Sequence, residues 1–339
     1  MSSTFWLGIG IISVSGIFNG VFALPMKSIR RFRWENMWLI FSAISRFNFG
    51  VLALALVPHL WQVYSSAPIK SLMIPLGFGL LLGIGQVTYG LGIAAVGTSI
   101  AIAVVSGVSC VSGALIPLVV LNLGDLFRPR GILLLVSVPI LLVGLTLFSI
   151  AGRRRDREHT ESKGVKVLLS PAVGLAICIV TGILGSSINL GFAFSGGIVR
   201  ISMERGASSL NSTYAVWALL FASSFVPNLI YTSYLLTRNQ SWSAFFGADA
   251  LRDLGLSAVM AIMSGAAFVG YGFGATIMGN YGTSVGWAGF VAATTVASTL
   301  AGIWAGEWKN TSVQSRKLLF SAVAVILAAV VVLDLGGLF

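Results

Sequence analysis

Ten long apolar runs, separated by short polar segments, dominate the sequence. Of the 339 residues, 56% are hydrophobic and only 9% are charged, which is too little polar surface for a water-exposed fold of this size. A helix needs about 20 apolar residues to cross a bilayer, where each backbone amide must bond within its own helix. The runs cover residues 5–24, 38–57, 72–95, 98–120, 131–150, 168–194, 214–236, 254–278, 283–305 and 318–338. Because none of them alternates apolar and polar residues, we expect an all-α membrane protein with ten transmembrane helices.

A short motif occurs twice in this framework. Tyr-Gly-x-Gly occupies residues 89–92 and 271–274, and each copy is followed by Gly-Thr-Ser, at 97–99 and 282–284. Both copies end one apolar run and begin the next with almost no loop between, so each predicts a tight helical hairpin. The recurrence in the same order indicates an internal duplication.

The charged segment 152–166 divides the chain into two parts with five apolar runs each, residues 1–151 and 167–339. Since five is odd, two copies of such a unit joined in series enter the membrane in opposite directions. The sequence therefore predicts two inverted five-helix repeats joined by a charged cytoplasmic linker. This architecture is typical of secondary transporters.

The positive charges are distributed as a topology signal. Most Lys and Arg residues lie in the loops after odd-numbered runs, with clusters at 27–33 and 153–166. The positive-inside rule assigns these loops to the cytoplasm and both termini to the periplasm of a multi-pass inner-membrane protein. Because the charges flank helix ends rather than cover a soluble domain, the expected partner is the lipid bilayer and not nucleic acid.

Glycines recur at a spacing of four residues in several runs. Such pairs let membrane helices approach closely, since no hydrophobic force drives helices together in lipid. They are Gly16 and Gly20, Gly79 and Gly83, and Gly270 and Gly274. We expect them to mark helix-packing faces.

Several short motifs, scattered over most of the chain, resemble those of a known transporter family. They are Pro25-x-Lys27, Trp34-Glu35-x-Met37-Trp38, Gly83-Ile-Gly85, Tyr89-Gly90-Leu91, Gly97-x-Ser99 and Glu307-Trp308-x-Asn310. The family is that of the L-rhamnose/proton symporters, in the drug/metabolite transporter superfamily of ten-helix inverted-repeat carriers. The resemblance implies uptake of a monosaccharide, L-rhamnose or a related deoxyhexose, coupled to protons.

One position departs from this family. Where we expect the family to have an asparagine in the third run, this chain has Gln86, whose amide reaches about one methylene further. The resemblance therefore does not imply that the sugar is rhamnose itself.

Polar side chains inside the apolar runs are the candidates for a substrate site. Arg46 lies near the middle of the second run, where an arginine costs roughly 2.5–3.5 kcal/mol even on a lenient scale, and its donors could hold sugar hydroxyls. Gln86 and Tyr89 are three residues apart on one face of the third run. The alternative for Arg46 is that it bonds backbone carbonyls or reaches an interface because the span is shifted. For Gln86 and Tyr89 the alternative is an ordinary interhelical hydrogen bond or core packing.

A sugar also offers an apolar C–H face, so its site needs amides for the hydroxyls and aromatic rings for that face. Asn19 and Asn189 supply amides from the two halves, and Tyr271 and Trp287 supply rings from the second half. We expect these four side chains to join Arg46, Gln86 and Tyr89. Packing within the helix bundle is the alternative role.

Proton coupling requires a titratable group, yet no Asp, Glu or His lies in the middle of a run. The nearest candidates are Glu35, at the start of the second run, and Glu307, at the end of the ninth. Both could serve as proton sites or gates, or could pair with surface cations. The two cysteines, Cys110 and Cys178, fall inside separate runs and are expected to be free thiols.

No catalytic constellation, metal-ligand cluster or phosphate-binding glycine loop occurs, so the chain is predicted to be a carrier without a cofactor and not an enzyme. A membrane enzyme acting on a lipid-linked sugar would need carboxylates or histidines in sizeable loops, which are absent. The closer alternative is a drug/metabolite exporter or an uncoupled sugar uniporter of the same fold. Sugar and protons are the expected small partners.

Overall fold

The computed structural model describes residues 3–96, 98–121, 123–159, 171–306, 308–309 and 311–335, and these residues form helices and turns with no strand. They include nine helices long and apolar enough to cross a membrane. The helices are α1 (Ser3–Val21), α2 (Trp34–Leu56), α3 (Leu60–Ser66), α4 (Ile69–Val96), α5 (Thr98–Leu121), α6 (Pro129–His159), α7 (Pro171–Gly185), α8 (Ser187–Phe194), α9 (Gly196–Glu204), α10 (Thr213–Arg238), α11 (Ala250–Met278), α12 (Val285–Trp304) and α13 (Val313–Leu335). The all-helical membrane class predicted from the sequence is confirmed.

Two helices differ from the predicted runs. The sixth run is broken at Ser186 into α7 and α8, and a further short helix, α9, begins after the end of the run. At the break, the Ser186 hydroxyl donates to the carbonyl of Ile183 at 2.7 Å, which satisfies a backbone group that a continuous helix would bond. Helix α6 continues to His159 into the segment predicted as linker, because arginine and glutamate are strong helix formers and the charged turns need no lipid contact.

The long helices group into two bundles that are in contact and have a cavity between them. In the first bundle, α1 packs against α11 and α12, and α2 packs against α11. In the second, α7 packs against α4 and α5, and α10 packs against α4. The bundles meet where α2 packs against α10 and α5 against α12, while α6 and α13 pack together at the periphery. Each bundle therefore combines helices from both halves of the sequence.

The glycine pairs lie on the packing faces of these bundles, as the sequence predicts. A Cβ at Gly16 would lie 2.5 Å from Ala293 Cβ, and one at Gly20 would lie 2.6 Å from the carbonyl oxygen of Thr294. These contacts bring α1 close to α12. A Cβ at Gly83 would lie 2.5 Å from the carbonyl oxygen of Ser224, so the absence of a side chain there lets α4 approach α10.

The connection between α1 and α2 is held to the start of α11 by Asp253. Its carboxylate accepts backbone N–H groups from three consecutive residues, Arg30 at 3.2 Å, Arg31 at 2.7 Å and Phe32 at 2.9 Å. Asp253 is fully buried. A carboxylate is suited to this position because it accepts several hydrogen bonds and carries the charge that successive amide dipoles favour.

Asp253→Ala is expected to lower the free energy of unfolding by about 1–3 kcal/mol, since it leaves the N–H groups of this connection without their acceptor. Unfolding of the purified protein in detergent measures the change. Asp249→Ala is the matched control, because it removes the same charge from the same helix end without removing a hydrogen bond seen in the described residues. Equal stability of the two variants would contradict the assigned role.

Candidate functional site

A cavity of about 230 Å³, lined by both polar and apolar side chains, lies between the two bundles. This volume is below the roughly 300–1,000 Å³ of sites for drug-sized ligands, so the cavity suits a smaller molecule. Its polar walls are formed by Asn19, Ser45, Arg46, Gln86, Ser106, Ser109, Ser264, Thr294 and Thr295, and its aromatic walls by Phe41, Phe221, Phe268, Trp287 and Phe290. Both bundles contribute, so their relative movement would change the access to the cavity.

Arg46 enters the cavity from the middle of α2 and is only 9% exposed. Its Nη1 donates to the carbonyl of Ser42 at 3.2 Å, and its Nη2 donates to Ser224 Oγ at 2.9 Å and to Gln86 Oε1 at 3.3 Å. The guanidinium carbon lies 5.6 Å from the centroid of the Phe221 ring. Its Nε is buried and has no hydrogen-bond partner in the part of the chain that the structure describes.

A chain of hydrogen bonds connects Arg46 across the bundle interface. Asn228 Nδ2 donates to Gln86 Oε1 at 2.7 Å, and Trp38 Nε1 donates to Asn228 Oδ1 at 2.9 Å. The chain joins α2 of the first bundle to α4 and α10 of the second. Gln86 Oε1 therefore accepts from both Arg46 and Asn228.

The other two predicted residues in the cavity wall are Asn19 and Trp287. Asn19 Nδ2 donates to Thr294 Oγ1 at 3.3 Å. Trp287 Nε1 donates to the carbonyl of Ser109 at 3.0 Å, which connects α12 to α5 across the two bundles. The structure thus brings Asn19, Arg46, Gln86 and Trp287 to one cavity, with amides and an aromatic ring side by side.

Three predicted site residues lie outside the cavity walls. Asn189 is fully buried, and its Nδ2 donates to the carbonyls of Gly113 at 2.8 Å and Thr283 at 2.7 Å. Its Oδ1 accepts the hydroxyl of Tyr271. Tyr89 lies nearly one turn after Gln86 on α4, but it does not line the cavity. In this conformation Asn189 and Tyr271 bridge α8, α5, α11 and the start of α12.

Of the two predicted proton sites, Glu35 is described and Glu307 lies outside the described residues. Glu35 is 4% exposed at the start of α2 and away from the cavity. Its Oε1 accepts Asn239 Nδ2 at 3.0 Å and Ser241 Oγ at 2.7 Å. The carboxylate thereby joins α2 to the connection between α10 and α11, which belong to different bundles.

The charge in the described lining of the cavity is positive. Among the described residues that line the cavity, Arg46 is the one with a charged side chain, and none is Asp, Glu or His. The described residues contain no group of three potential metal ligands, and Cys110 and Cys178 are buried free thiols. The cavity offers hydrogen-bond donors, hydroxyls and aromatic rings, which are groups that bind a polar organic molecule.

Sequence reasoning missed Trp38, Ser224 and Asn228. Asn228 directly follows Pro227 within an apolar run, and an amide at membrane depth needs a polar partner. That signal was available for Asn228. No equivalent signal distinguishes Ser224 from the other serines, which in membrane helices bond to their own backbone.

Comparison with known proteins places this geometry in a family. The family model described as L-rhamnose-proton symport protein matches residues 1–338. Relatives named L-rhamnose-proton symporter from Yersinia pestis (strain Pestoides F) and Yersinia pseudotuberculosis serotype O:3 (strain YPIII) are each 23% identical over 347 aligned residues, which cover 99% of this chain and 99% of theirs. An all-helical membrane protein matched over nearly its whole length, with a cavity between two bundles, belongs to the L-rhamnose-proton symport protein family.

Proposed function

We propose that this protein imports a monosaccharide, L-rhamnose or a related deoxyhexose, together with protons. The observation that carries the proposal is the small cavity between the bundles, where Asn19, Arg46 and Gln86 supply polar groups and Trp287 supplies a ring. The family supplies the class of substrate and the coupling ion. The small volume favours a monosaccharide over the larger substrates of an exporter.

The packing supports an inverted repeat with halves at residues 1–151 and 167–339, as in the drug/metabolite transporter superfamily. When each long helix of the first half is exchanged with its counterpart in the second, the contacts α1 to α11 and α1 to α12 become α7 to α4 and α7 to α5. The contact α2 to α11 becomes α10 to α4, and α2 to α10 is unchanged. A pseudo-two-fold axis relating five-helix units has this property.

Alternating access then consists of rocking one bundle against the other around the cavity. The residues proposed to contact the sugar are Asn19, Arg46, Gln86 and Trp287. Tyr89, Asn189 and Tyr271 stay predictions for substrate binding, because they are not among the residues that line the cavity in this conformation. Glu35 is proposed as a proton site or gate, since its hydrogen bonds cross from one bundle to the other, and Glu307 stays a prediction for the same role.

The distribution of Lys and Arg supports an inner-membrane location with the loops after odd-numbered spans in the cytoplasm and both termini in the periplasm. In this orientation Glu35 and Asp253 are near the cytoplasmic face. The charged segment 152–166 is then cytoplasmic as well.

Uptake of a panel of labelled monosaccharides into vesicles, with and without an inward proton gradient, tests the proposal. We expect accumulation of at least one monosaccharide only when the gradient is present, and alkalinisation of the weakly buffered medium when that sugar is added. An uncoupled uniporter would equilibrate the sugar without changing the external pH. Failure to accumulate any monosaccharide under any gradient would contradict the proposal.

A further inference from the structure

The part of the cavity wall that the structure describes contains a cation and no anion. All contacts of the Arg46 guanidinium described above are to neutral groups, namely a carbonyl, a hydroxyl, an amide oxygen and an aromatic ring. The lining residues within the described ranges include no carboxylate. A buried charge is ordinarily paired with an opposite charge because its removal from water is costly. The charge of Arg46 is therefore available to a ligand.

The hydrogen bonds that join Trp38, Asn228 and Gln86 determine how the two side-chain amides are oriented. An indole N–H can only donate, so Trp38 requires the oxygen of Asn228 as acceptor, which turns the NH₂ group of Asn228 towards Gln86. Gln86 must then direct its oxygen towards Asn228 and Arg46. Its own NH₂ group has no hydrogen-bond partner in the described ranges.

Arg46 and Gln86 thus both line the cavity, and each has an unpaired donor: the Nε–H of Arg46, which is buried without a partner among the described residues, and the NH₂ group of Gln86. A sugar hydroxyl accepts from one such donor but leaves the charge uncompensated. A carboxylate has two acceptor oxygens and a negative charge, and it matches the guanidinium fork.

We infer that the substrate is a monosaccharide carrying a carboxylate, such as a hexuronate, whose carboxylate binds Arg46 and Gln86 while its ring lies against Trp287 and the hydroxyls of α12. The inference rests on the proton-coupled import of a monosaccharide in the proposed function, and it replaces the neutral deoxyhexose of that proposal with a sugar acid. Arg46 then determines specificity by charge, and Asn228 is a positioning residue that orients Gln86.

Uptake of individual labelled sugars into proteoliposomes containing the full-length protein tests the inference. The probes are pairs of equal ring configuration that differ only in a methyl group against a carboxylate, D-fucose with D-galacturonate and D-quinovose with D-glucuronate, and L-rhamnose is included. With an inward proton gradient, we expect one uronate to be accumulated about ten-fold better than its neutral partner, as a charge-assisted hydrogen bond contributes this much or more. Arg46→Lys should retain the preference, and Arg46→Gln should abolish it. Arg200→Gln, which changes an exposed arginine of α9, should leave it unaltered.

The outcomes separate the two proposals. If neutral sugars, L-rhamnose included, are accumulated better than the uronates by the unaltered protein, the carboxylate inference is wrong while the proposed function stands. If neither neutral nor acidic sugars are accumulated, both are wrong. The comparison of uronates with neutral sugars in the unaltered protein tests the carboxylate inference even if the Arg46 variants fail to fold.

Discussion

Arg46→Ala is expected to reduce proton-driven uptake at least about a hundred-fold while the amount of inserted protein stays the same. Arg46 lines the cavity and is proposed to hold the substrate by two hydrogen bonds from its guanidinium, and hydrogen bonds from charged donors contribute about 1.5–3 kcal/mol each. Loss of two of them corresponds to a hundred-fold or more. Initial rates of uptake of the accumulated sugar, normalised to protein in the membrane, measure the effect.

Arg200→Ala is the matched control for this variant. Arg200 lies on α9 with 75% of its side chain exposed and is 3.9 Å from Glu204, and a surface pair of this kind contributes little. We expect the control to transport normally. Unchanged kinetics in Arg46→Ala would mean that Arg46 is a packing residue and that the substrate binds elsewhere.

Gly79→Ala is expected to cause the largest loss of stability among single glycine substitutions on α4. Its Cβ would lie 2.0 Å from Ser223 Oγ and 2.2 Å from the carbonyl oxygen of Leu220. The hydroxyl can rotate, but the backbone of α10 cannot yield without separating the two helices. Overpacking of this kind costs about 3 kcal/mol. Folded yield after extraction, by size-exclusion chromatography, and unfolding in detergent measure the effect.

The same helix offers a control two residues earlier. A Cβ at Gly77 would have no atom within 4 Å, so Gly77→Ala changes helix propensity in the favourable direction without a clash. We expect it to fold at least as well as the unaltered protein. Equal yields of the two alanine variants would show that α4 and α10 are not as closely packed as the structure indicates.

The sequence predicts the spans well because the physical rule behind them is local. The backbone groups of a helix in lipid must form their hydrogen bonds within that helix. Each span therefore appears in the sequence as a run of about 20 apolar residues. The break at Ser186 within the sixth run was not predictable from this rule. It depends on a serine hydroxyl that replaces a backbone partner, and the same residue in a straight helix has the same hydropathy.

The candidate site was predictable where a side chain is costly in lipid and unpredictable where it is not. Arg46 and Gln86 are conspicuous in apolar runs, and both line the cavity. Asn189 is equally conspicuous, but its amide is bonded to two carbonyls and a tyrosine hydroxyl. Whether an amide faces a cavity or a neighbouring backbone depends on helix rotation, and a sequence whose core and lipid faces are both apolar does not specify that rotation.

The packing of α1 and α7 against helices from the opposite half of the sequence has a consequence for biosynthesis. Helix α1 is made first, yet its glycine face packs against α12, which leaves the ribosome hundreds of residues later. Until then the exposed stripe of α1 must be shielded by lipid or by the insertion machinery. Neither half of the sequence can therefore form a complete bundle by itself. Assembly finishes only when the last helices enter the bilayer.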